Sequence, residues 1–202
     1  MLIARYKNQS GFSENMDELQ YELKIPKERI AVLIGREGQN KKDIETATKT
    51  TLNIDSEEGD ILIHGEDGLG IFIAKEVATA IGRGFNPEIA LLLLKVDYSF
   101  EAIDFADYAG KSKENQVRIK GRIIGREGKT RRIIEEMTET YLSVYGKTVC
   151  IIGTTESVLL AHQAIEMLLE GSTHSSVYKW LEKKHRELKR NQLVGETVTW
   201  KR

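Results

Sequence analysis

A five-residue sequence, IGREG, occurs twice in the chain, at 34–38 and at 124–128. In each copy two glycines flank an Arg-Glu pair, and aliphatic residues lead into the motif. Glycines permit positive φ angles and let backbone N–H groups approach a ligand closely, and the start of a following helix favours an anion. Arg36 and Arg126 would add a positive charge to each loop. The motif therefore predicts a phosphate-binding turn in two places.

The two copies differ in the charge around them. Residues 111–132 contain nine basic and two acidic residues, whereas 27–42 contain five basic and two acidic residues. The formal net charge of the whole chain is only −1, so the positive charge is concentrated locally. A basic cluster around a glycine loop is typical of a surface that binds a polyanion. The second copy is thus the stronger candidate.

Other chemistry finds little support. The four histidines, at 64, 162, 174 and 185, lack metal-ligand spacing, and none pairs with a nucleophile and a carboxylate. Glu135 and Glu136 fit a helix surface better than an acid/base pair. The segment GREGKT is not a Walker loop, because only two residues separate its glycines. We therefore expect no catalysis, no cofactor and no metal site.

The motif belongs to a longer duplication. The first glycines are 125 − 35 = 90 residues apart, and aligning 34–55 with 124–145 gives ten identities in 22 positions. The similarity continues through DILIHG and TVCIIG, and then through 71–84 and 158–171. The chain is therefore predicted to contain two related domains in tandem.

Hydrophobic periodicity predicts the same element order in both units: strand, helix, glycine loop, helix, strand, strand, helix. We expect the first strand at 19–25 in one unit and at 98–105 in the other. A further helix follows each unit, PEIALLLLKV in the first and SSVYKWLEKKHRELK in the second. The predicted organisation is a flexible N-terminus (1–16), a first domain with its helix (17–96), a second domain with its helix (97–190), and a tail or short strand (191–202).

Composition limits the setting of the protein. No apolar run is long enough to span a bilayer, and the first residues do not read as a secretory signal. The single cysteine, Cys150, lies in the apolar run TVCIIG and is predicted to be a buried strand thiol. We expect a protein of the reducing cytoplasm without a membrane partner.

Strand–helix–GxxG–helix–strand–strand–helix, with IGREG at the helix junction, resembles the type I K-homology (KH) domain. The resemblance implies an α+β fold of two tandem KH domains, each a three-stranded sheet packed against three helices. In KH domains the GxxG loop holds the backbone of about four single-stranded nucleotides. By resemblance, Gly35, Arg36, Glu37 and Gly38 form one such loop, and Gly125, Arg126, Glu127 and Gly128 form the other.

The second unit resembles a narrower family. The segments IKGRIIGREGKTRRIIEEMT, SVYGKTVCIIG and AIEMLLEGSTHSSVYKWLE are similar to archaeal tandem-KH proteins related to the Dim-two, or partner-of-Nob-one, and Krr-type ribosome-assembly factors. This resemblance covers about residues 17–190. It implies a monomer that binds small-subunit ribosomal RNA near its 3′ end, with ribosome-assembly or translation proteins as further partners.

The loops also depart from the general KH pattern. Glu37 and Glu127 place a carboxylate beside the expected phosphate, and Lys41 and Arg131 stand where KH domains often have an aliphatic residue. We expect these cations to contact the RNA backbone, with little base-specific readout. The other candidate RNA-binding residues of the second domain are Lys120, Arg122, Ile123, Ile124, Lys129 and Arg132.

Three functional alternatives remain open. The second domain is the expected principal RNA site, whereas the first domain binds RNA weakly or faces a protein. The KH folds could instead form a protein-interaction scaffold, with Tyr178 and Trp180 docking a partner, although packing of Trp180 within its own domain is favoured. A general RNA-binding or transcript-decay accessory role is the third reading.

Overall fold

The first repeat folds as a three-stranded sheet covered by helices. The computed structural model describes residues 19–110 and 112–198, so the predicted flexible segment 1–16 lies outside the described residues. The element order is β1 (Leu19–Lys24), α1 (Lys27–Ile34), α2 (Gln39–Thr48), β2 (Thr50–Ile54), β3 (Asp60–Gly65) and α3 (Gly68–Gly82). β3 is the central strand and pairs antiparallel with both β1 and β2.

The second repeat has the same order. Its elements are β4 (Tyr98–Asp104), α5 (Ala106–Ala109), α6 (Lys113–Ile124), α7 (Lys129–Thr138), β5 (Tyr141–Tyr145), β6 (Thr148–Thr154) and α8 (Thr155–Leu169). β6 lies between β4 and β5, and it pairs antiparallel with β5. Among the described residues, the second repeat also contains a short helix, α5, between its first strand and α6. The α+β prediction of two type I units is confirmed.

The five identities between the repeats that lie outside IGREG have structural explanations. Ile44, Ile134 and Leu52 are fully buried. Leu142, the counterpart of Leu52 in the second repeat, is almost fully buried. The glutamate of each second helix accepts a hydrogen bond from the backbone of the next strand: Leu52 N–H donates to Glu45 at 2.7 Å, and Leu142 N–H to Glu135 at 2.8 Å. Two buried threonine pairs, Thr48–Thr50 and Thr138–Thr140, share hydroxyl hydrogen bonds of 2.7 and 2.8 Å. Outside the loop, therefore, the repeated residues form the core and fasten α2 and α7 to the sheets.

The helix after the first unit differs from the prediction. Instead of one helix over 87–96, α4 (Pro87–Ala90) continues into a 3₁₀ turn at Leu91–Leu94. This turn packs against α2 and α3, with Ala90 and Leu93 buried. Four leucines in a row cannot all face one side of a helix, and the tighter turn buries only part of them.

The helix after the second unit, α9 (His174–Val198), is longer than predicted. It continues past residue 190 through most of the segment that the sequence assigns to a tail or short strand, and residues 199–202 lie outside the described part. Val177 and Leu181 are fully buried, and Trp180 packs partly buried against the core of its own unit. The prediction that Trp180 packs within its own domain is confirmed.

The chain divides into two compact units, which end and begin at Phe100 and Glu101. We keep the predicted boundary between 96 and 97 as a proposal, because all of β4 belongs to the second sheet. Cys150 is fully buried in β6, which confirms the prediction of a buried strand thiol. No helix in the described part of the chain is long and apolar enough to cross a membrane.

Candidate nucleic-acid interface

The two GREG loops have the same backbone geometry. Gly125 ends α6 with φ 73° and ψ 173°, and its N–H donates to Gly121 O at 2.9 Å. Glu127 and Gly128 follow with φ of 53° and 75°, and α7 begins directly after them. The first loop repeats these values, with Gly35 at φ 74° and ψ 179°, Glu37 at φ 53° and Gly38 at φ 76°. The duplication thus preserves one uncommon backbone conformation.

The two glycines of each loop are required for different reasons. A Cβ on Gly125 would collide with Thr130 Oγ1 and would lie 2.7 Å from the Thr130 backbone nitrogen. A Cβ on Gly35 would lie 2.6 Å from the Asn40 side chain. A Cβ on Gly128 or on Gly38 would meet no described atom within 4 Å beyond the neighbouring residues. The first glycine therefore permits close packing of the two helices, whereas the second supplies a left-handed turn and leaves open space where a phosphate could approach.

The side chains at the loop tips face solvent. Arg36, Glu37, Arg126 and Glu127 are all exposed. No hydrogen bond or ion pair joins these four side chains to another residue that the structure describes. Each loop therefore presents an arginine, a glutamate and the N-terminus of a helix to the same solvent-exposed point.

Several predicted RNA-binding cations are engaged within the protein. Lys41 Nζ lies 3.7 Å from Glu45 Oε1, and Arg131 Nε lies 3.4 Å from Glu135 Oε2. Arg132 Nη2 donates to Glu127 O at 3.1 Å, which fastens the second loop to the first turn of α7. These cations remain partly or fully exposed, so their charge still contributes to the local potential.

Arg122 has a different position from the one predicted. Its Nε donates to Leu168 O at 3.2 Å and its Nη2 to Ser172 O at 2.7 Å. The guanidinium thus lies at the C-terminal end of α8, where the helix dipole favours a cation, and it adds a side-chain donor to Leu168 O, which also accepts from the Gly171 N–H. Arg29 does the same for α3, through Ile81 O at 2.8 Å and Phe85 O at 2.6 Å. The structure assigns Arg122 to helix capping and not to the loop surface.

Ile123 is also placed otherwise than predicted. Its side chain is 0% exposed and belongs to the core of the second unit, so the prediction that it offers a surface to a base is wrong. Ile124 is half-buried and remains available. On the same stripe of α6 lie Gly121 and Val117, and Val117 is 69% exposed although it is apolar. Sequence reasoning missed Val117, whose signal is a valine out of phase with the buried Ile119 and Ile123.

The remaining predicted cations of the second domain are accessible. Lys129 is exposed and Lys120 half-buried, and no hydrogen bond or ion pair ties either side chain to a residue in the described ranges. Arg118, on the same helix as Lys120, is likewise exposed. Together with Arg126 they give the second loop four cations without an ion-pair partner among the described residues, beside the apolar stripe of Val117 and Ile124.

Three of the four histidines, at 162, 174 and 185, contact groups within the protein. His162 lies 2.6 Å from Glu101 and 3.2 Å from Glu166, while His174 and His185 contact the backbone carbonyls of Arg122 and Met137 at 2.8 and 2.9 Å. Within residues 19–110 and 112–198, no group of three or more His, Cys, Asp or Glu side chains is placed to hold a metal ion.

Comparison with known proteins identifies both repeats. A family model described as "Eukaryotic type KH-domain (KH-domain type I)" matches residues 99–186, and the KH domain model matches residues 20–79. The chain is 49% identical over 173 residues to the KH domain-containing protein MJ0443 of Methanocaldococcus jannaschii, covering 83% of this chain and 75% of that protein.

Two further relatives extend the comparison. The crystal structure of an a/eIF2alpha–aDim2p–rRNA complex from Pyrococcus horikoshii OT3 contains a chain that matches with a TM-score of 0.78 at 47% identity, covering 86% of this chain and 98% of that one. The pre-rRNA-processing protein PNO1 of Chaetomium thermophilum is 32% identical over 107 residues, which is 51% of this chain and 40% of that protein. The chain thus spans less than half the length of this relative.

Proposed function

Because the chain belongs to the family of tandem KH-domain proteins that includes aDim2p, we propose that it binds single-stranded RNA as a small-subunit ribosome-biogenesis factor. The RNA is ribosomal, and the protein binds this RNA near the RNA's 3′ end. The role is one of binding and positioning, without a catalytic step. The protein acts as a monomer in the cytoplasm, with other assembly or translation proteins as partners.

The observation that carries the proposal is the second GREG loop. It joins a helix N-terminus, an unpaired exposed arginine and an open approach beside Gly128 in one place. KH domains use this combination to hold the sugar–phosphate backbone, while an adjacent groove receives bases. Val117 and Ile124 supply apolar surface for that groove, and Arg118, Lys120 and Lys129 supply charge along it.

The ribosomal target rests on the relatives. The matched aDim2p chain comes from a complex with rRNA, and PNO1 of Chaetomium thermophilum carries the name of a pre-rRNA-processing protein. Transfer of that role to this chain is supported by coverage of nearly the whole aDim2p chain. Binding near the 3′ end follows from the family resemblance of the second domain.

The two domains contribute unequally in this proposal. Both loops have the same backbone, so the difference lies in charge and in the groove. In the second unit an exposed valine precedes the loop, whereas the corresponding position, 117 − 90 = 27, is Lys27 in the first. The first domain therefore binds RNA weakly or faces a protein partner.

Paired charge reversals test the proposal. Arg126→Asp with Glu127→Asp keeps both glycines and places carboxylates beside the phosphate, and we expect affinity for single-stranded rRNA fragments to fall on the order of ten-fold or more at moderate salt. Arg36→Asp with Glu37→Asp is the matched control, with the same charge change on the same backbone. Unchanged affinity in the first variant would rule out the second loop as the RNA site and favour a scaffold.

An equal loss in both variants would instead contradict the proposed inequality of the domains. Crosslinking in growing cells, followed by sequencing of the bound RNA, tests the target. Recovery of small-subunit rRNA is the expected result. Recovery mainly of messenger RNA would replace ribosome assembly with a role in transcript metabolism.

A further inference from the structure

At equivalent positions before the two loops, one backbone carbonyl in each repeat accepts a hydrogen bond from a side chain, and that side chain differs between the repeats. In the first unit, Asn40 Nδ2 donates to Val32 O at 2.8 Å. The equivalent carbonyl in the second unit belongs to Arg122, since 32 + 90 = 122, and His174 Nε2 lies 2.8 Å from it. A carbonyl can only accept, so the histidine donates. Both carbonyls lie in the last turn of a helix, where the backbone offers no partner.

The residue equivalent to Asn40 also has a different partner. It is Thr130, since 40 + 90 = 130, and its hydroxyl is too short to reach back across the loop to the preceding helix. Thr130 Oγ1 lies instead 2.8 Å from the hydroxyl oxygen of Tyr178. Thr130 is 2% exposed and packs directly under Gly125. We call these two contacts, His174 with Arg122 O and Tyr178 with Thr130, the second brace.

The second brace is anchored by the rest of α9. Val177 and Leu181 are fully buried, and His185 Nδ1 contacts Met137 O at 2.9 Å, near the C-terminal end of α7. His174, Tyr178 and His185 are spaced by four and seven residues, so they lie on one face of α9. This face runs from the last turn of α6, past the loop, to the end of α7.

We propose that α9 holds the second GREG loop in its binding conformation, and that His174 and Tyr178 are positioning residues for RNA. Neither side chain touches the RNA in this role. They fix the end of α6 relative to the start of α7, and thereby the strained turn between Gly125 and Gly128. The proposal rests on the proposed RNA-binding function of this loop and adds the residues that shape it.

The first unit supplies the control and the rescue. We call the contact of Asn40 with Val32 O the first brace. The Asn40 side chain fits beside Gly35, which has the same backbone conformation as Gly125. Thr130→Asn in the second unit should therefore form the same contact with Arg122 O and make the loop independent of α9. Asn40→Ala is the mirror variant, which removes the brace from the first loop only.

Hydrogen exchange on the RNA-free full chain tests the brace without reference to RNA. For His174→Ala with Tyr178→Phe we expect amides of 121–130 to exchange about ten-fold faster or more, because a lost hydrogen bond of this kind permits local opening. Amides of 31–40 should be unchanged in the same sample. Adding Thr130→Asn to the double variant should restore slow exchange. In the otherwise unchanged chain, His174→Gln keeps a donor at that position and should retain slow exchange.

RNA binding completes the test. The double variant should lose affinity about three- to ten-fold, and Thr130→Asn should recover it. Slow loop exchange in the folded double variant would contradict the proposal that His174 and Tyr178 hold the loop. A loss of affinity that Thr130→Asn does not recover would contradict it as well. If the parent chain binds no RNA, the proposed function fails, and exchange alone then decides whether α9 shapes the loop.

Discussion

The carboxylate of Glu135 accepts a hydrogen bond from the backbone N–H of Leu142 at 2.8 Å and so joins α7 to the edge strand β5. Its other oxygen lies 3.4 Å from Arg131 Nε. One side chain thus joins α7, the helix that follows the second GREG loop, to the sheet and also pairs with Arg131, a predicted RNA-binding cation on the same helix.

Removal of this link should destabilise the second unit. We expect Glu135→Ala to lower the free energy of unfolding by about 1–3 kcal/mol, because the Leu142 N–H loses its acceptor. Glu135→Gln keeps an acceptor oxygen and should cost less. Urea denaturation measures both, and Glu45→Ala is the matched change in the first unit. Equal stability of Glu135→Ala and the parent chain would contradict a role for this hydrogen bond.

The two glycines of the second loop should differ in their tolerance of alanine. Gly128→Ala adds only the strain of a left-handed residue, about 1 kcal/mol. Gly125→Ala must adopt a backbone region that is nearly restricted to glycine, at about 1–3 kcal/mol, and its Cβ also collides with Thr130. Thermal and urea unfolding should therefore rank Gly125→Ala as the more damaging change. The reverse order would refute the distinction between packing and turn formation.

Arg122 and Lys129 should separate stability from RNA affinity. Arg122→Ala removes the side-chain donor from Ser172 O and one of the donors from Leu168 O, which keeps the Gly171 N–H, and we expect a loss of about 1–3 kcal/mol in the free energy of unfolding. Lys129→Ala should change stability by less than about 0.5 kcal/mol. It should also reduce the slope of log affinity for single-stranded RNA against log salt by about 0.7. A reduced salt slope in Arg122→Ala at full stability would return this arginine to the RNA surface.

The turn between β2 and β3 should show a pH dependence. The N–H groups of Glu58 and Glu57 donate to Asp55 and hold the pKa of its carboxyl below the ordinary value of 3.8. A depressed folded-state pKa stabilises the fold above 3.8, and this contribution is lost as pH falls through the lower folded value. We expect Asp55→Asn to flatten the acid limb of stability against pH. Asp97→Asn, at another exposed site where no described residue donates a hydrogen bond to the carboxylate, is the comparison variant for the loss of one charge.

The elements and the loop were predictable because they depend on local signals. Pro26 before α1, the glycine after it, and alternating apolar residues in the strands each act within a few positions. The occurrence of IGREG twice, 90 residues apart and in the same order of elements, then made the prediction of two KH domains specific. The same local signals could not place Ile123 correctly. Ile123 and Ile124 are adjacent and identical, and only the packing of the helix decides which of them is buried.

Long-range contacts could not be predicted in this way. Arg122 reaches carbonyls that are 46 and 50 residues away, and no local pattern distinguishes it from the exposed cations beside it. The contacts of His174 and Tyr178 span 52 and 48 residues. Side chains that serve partners so far along the chain become visible only when the helices are packed.

The sequence separation of the two braces has a consequence for synthesis on the ribosome. The first brace closes over eight residues, so its loop can take shape as soon as α2 has emerged. The second must wait for residues 48 and 52 positions downstream, at the start of α9. Because closure of a longer loop is slower and folding follows the order of emergence, the nascent first unit should mature early. The second unit acquires its finished loop only after the start of α9 has emerged, so a chain truncated before α9 would carry one completed loop and one unfinished loop.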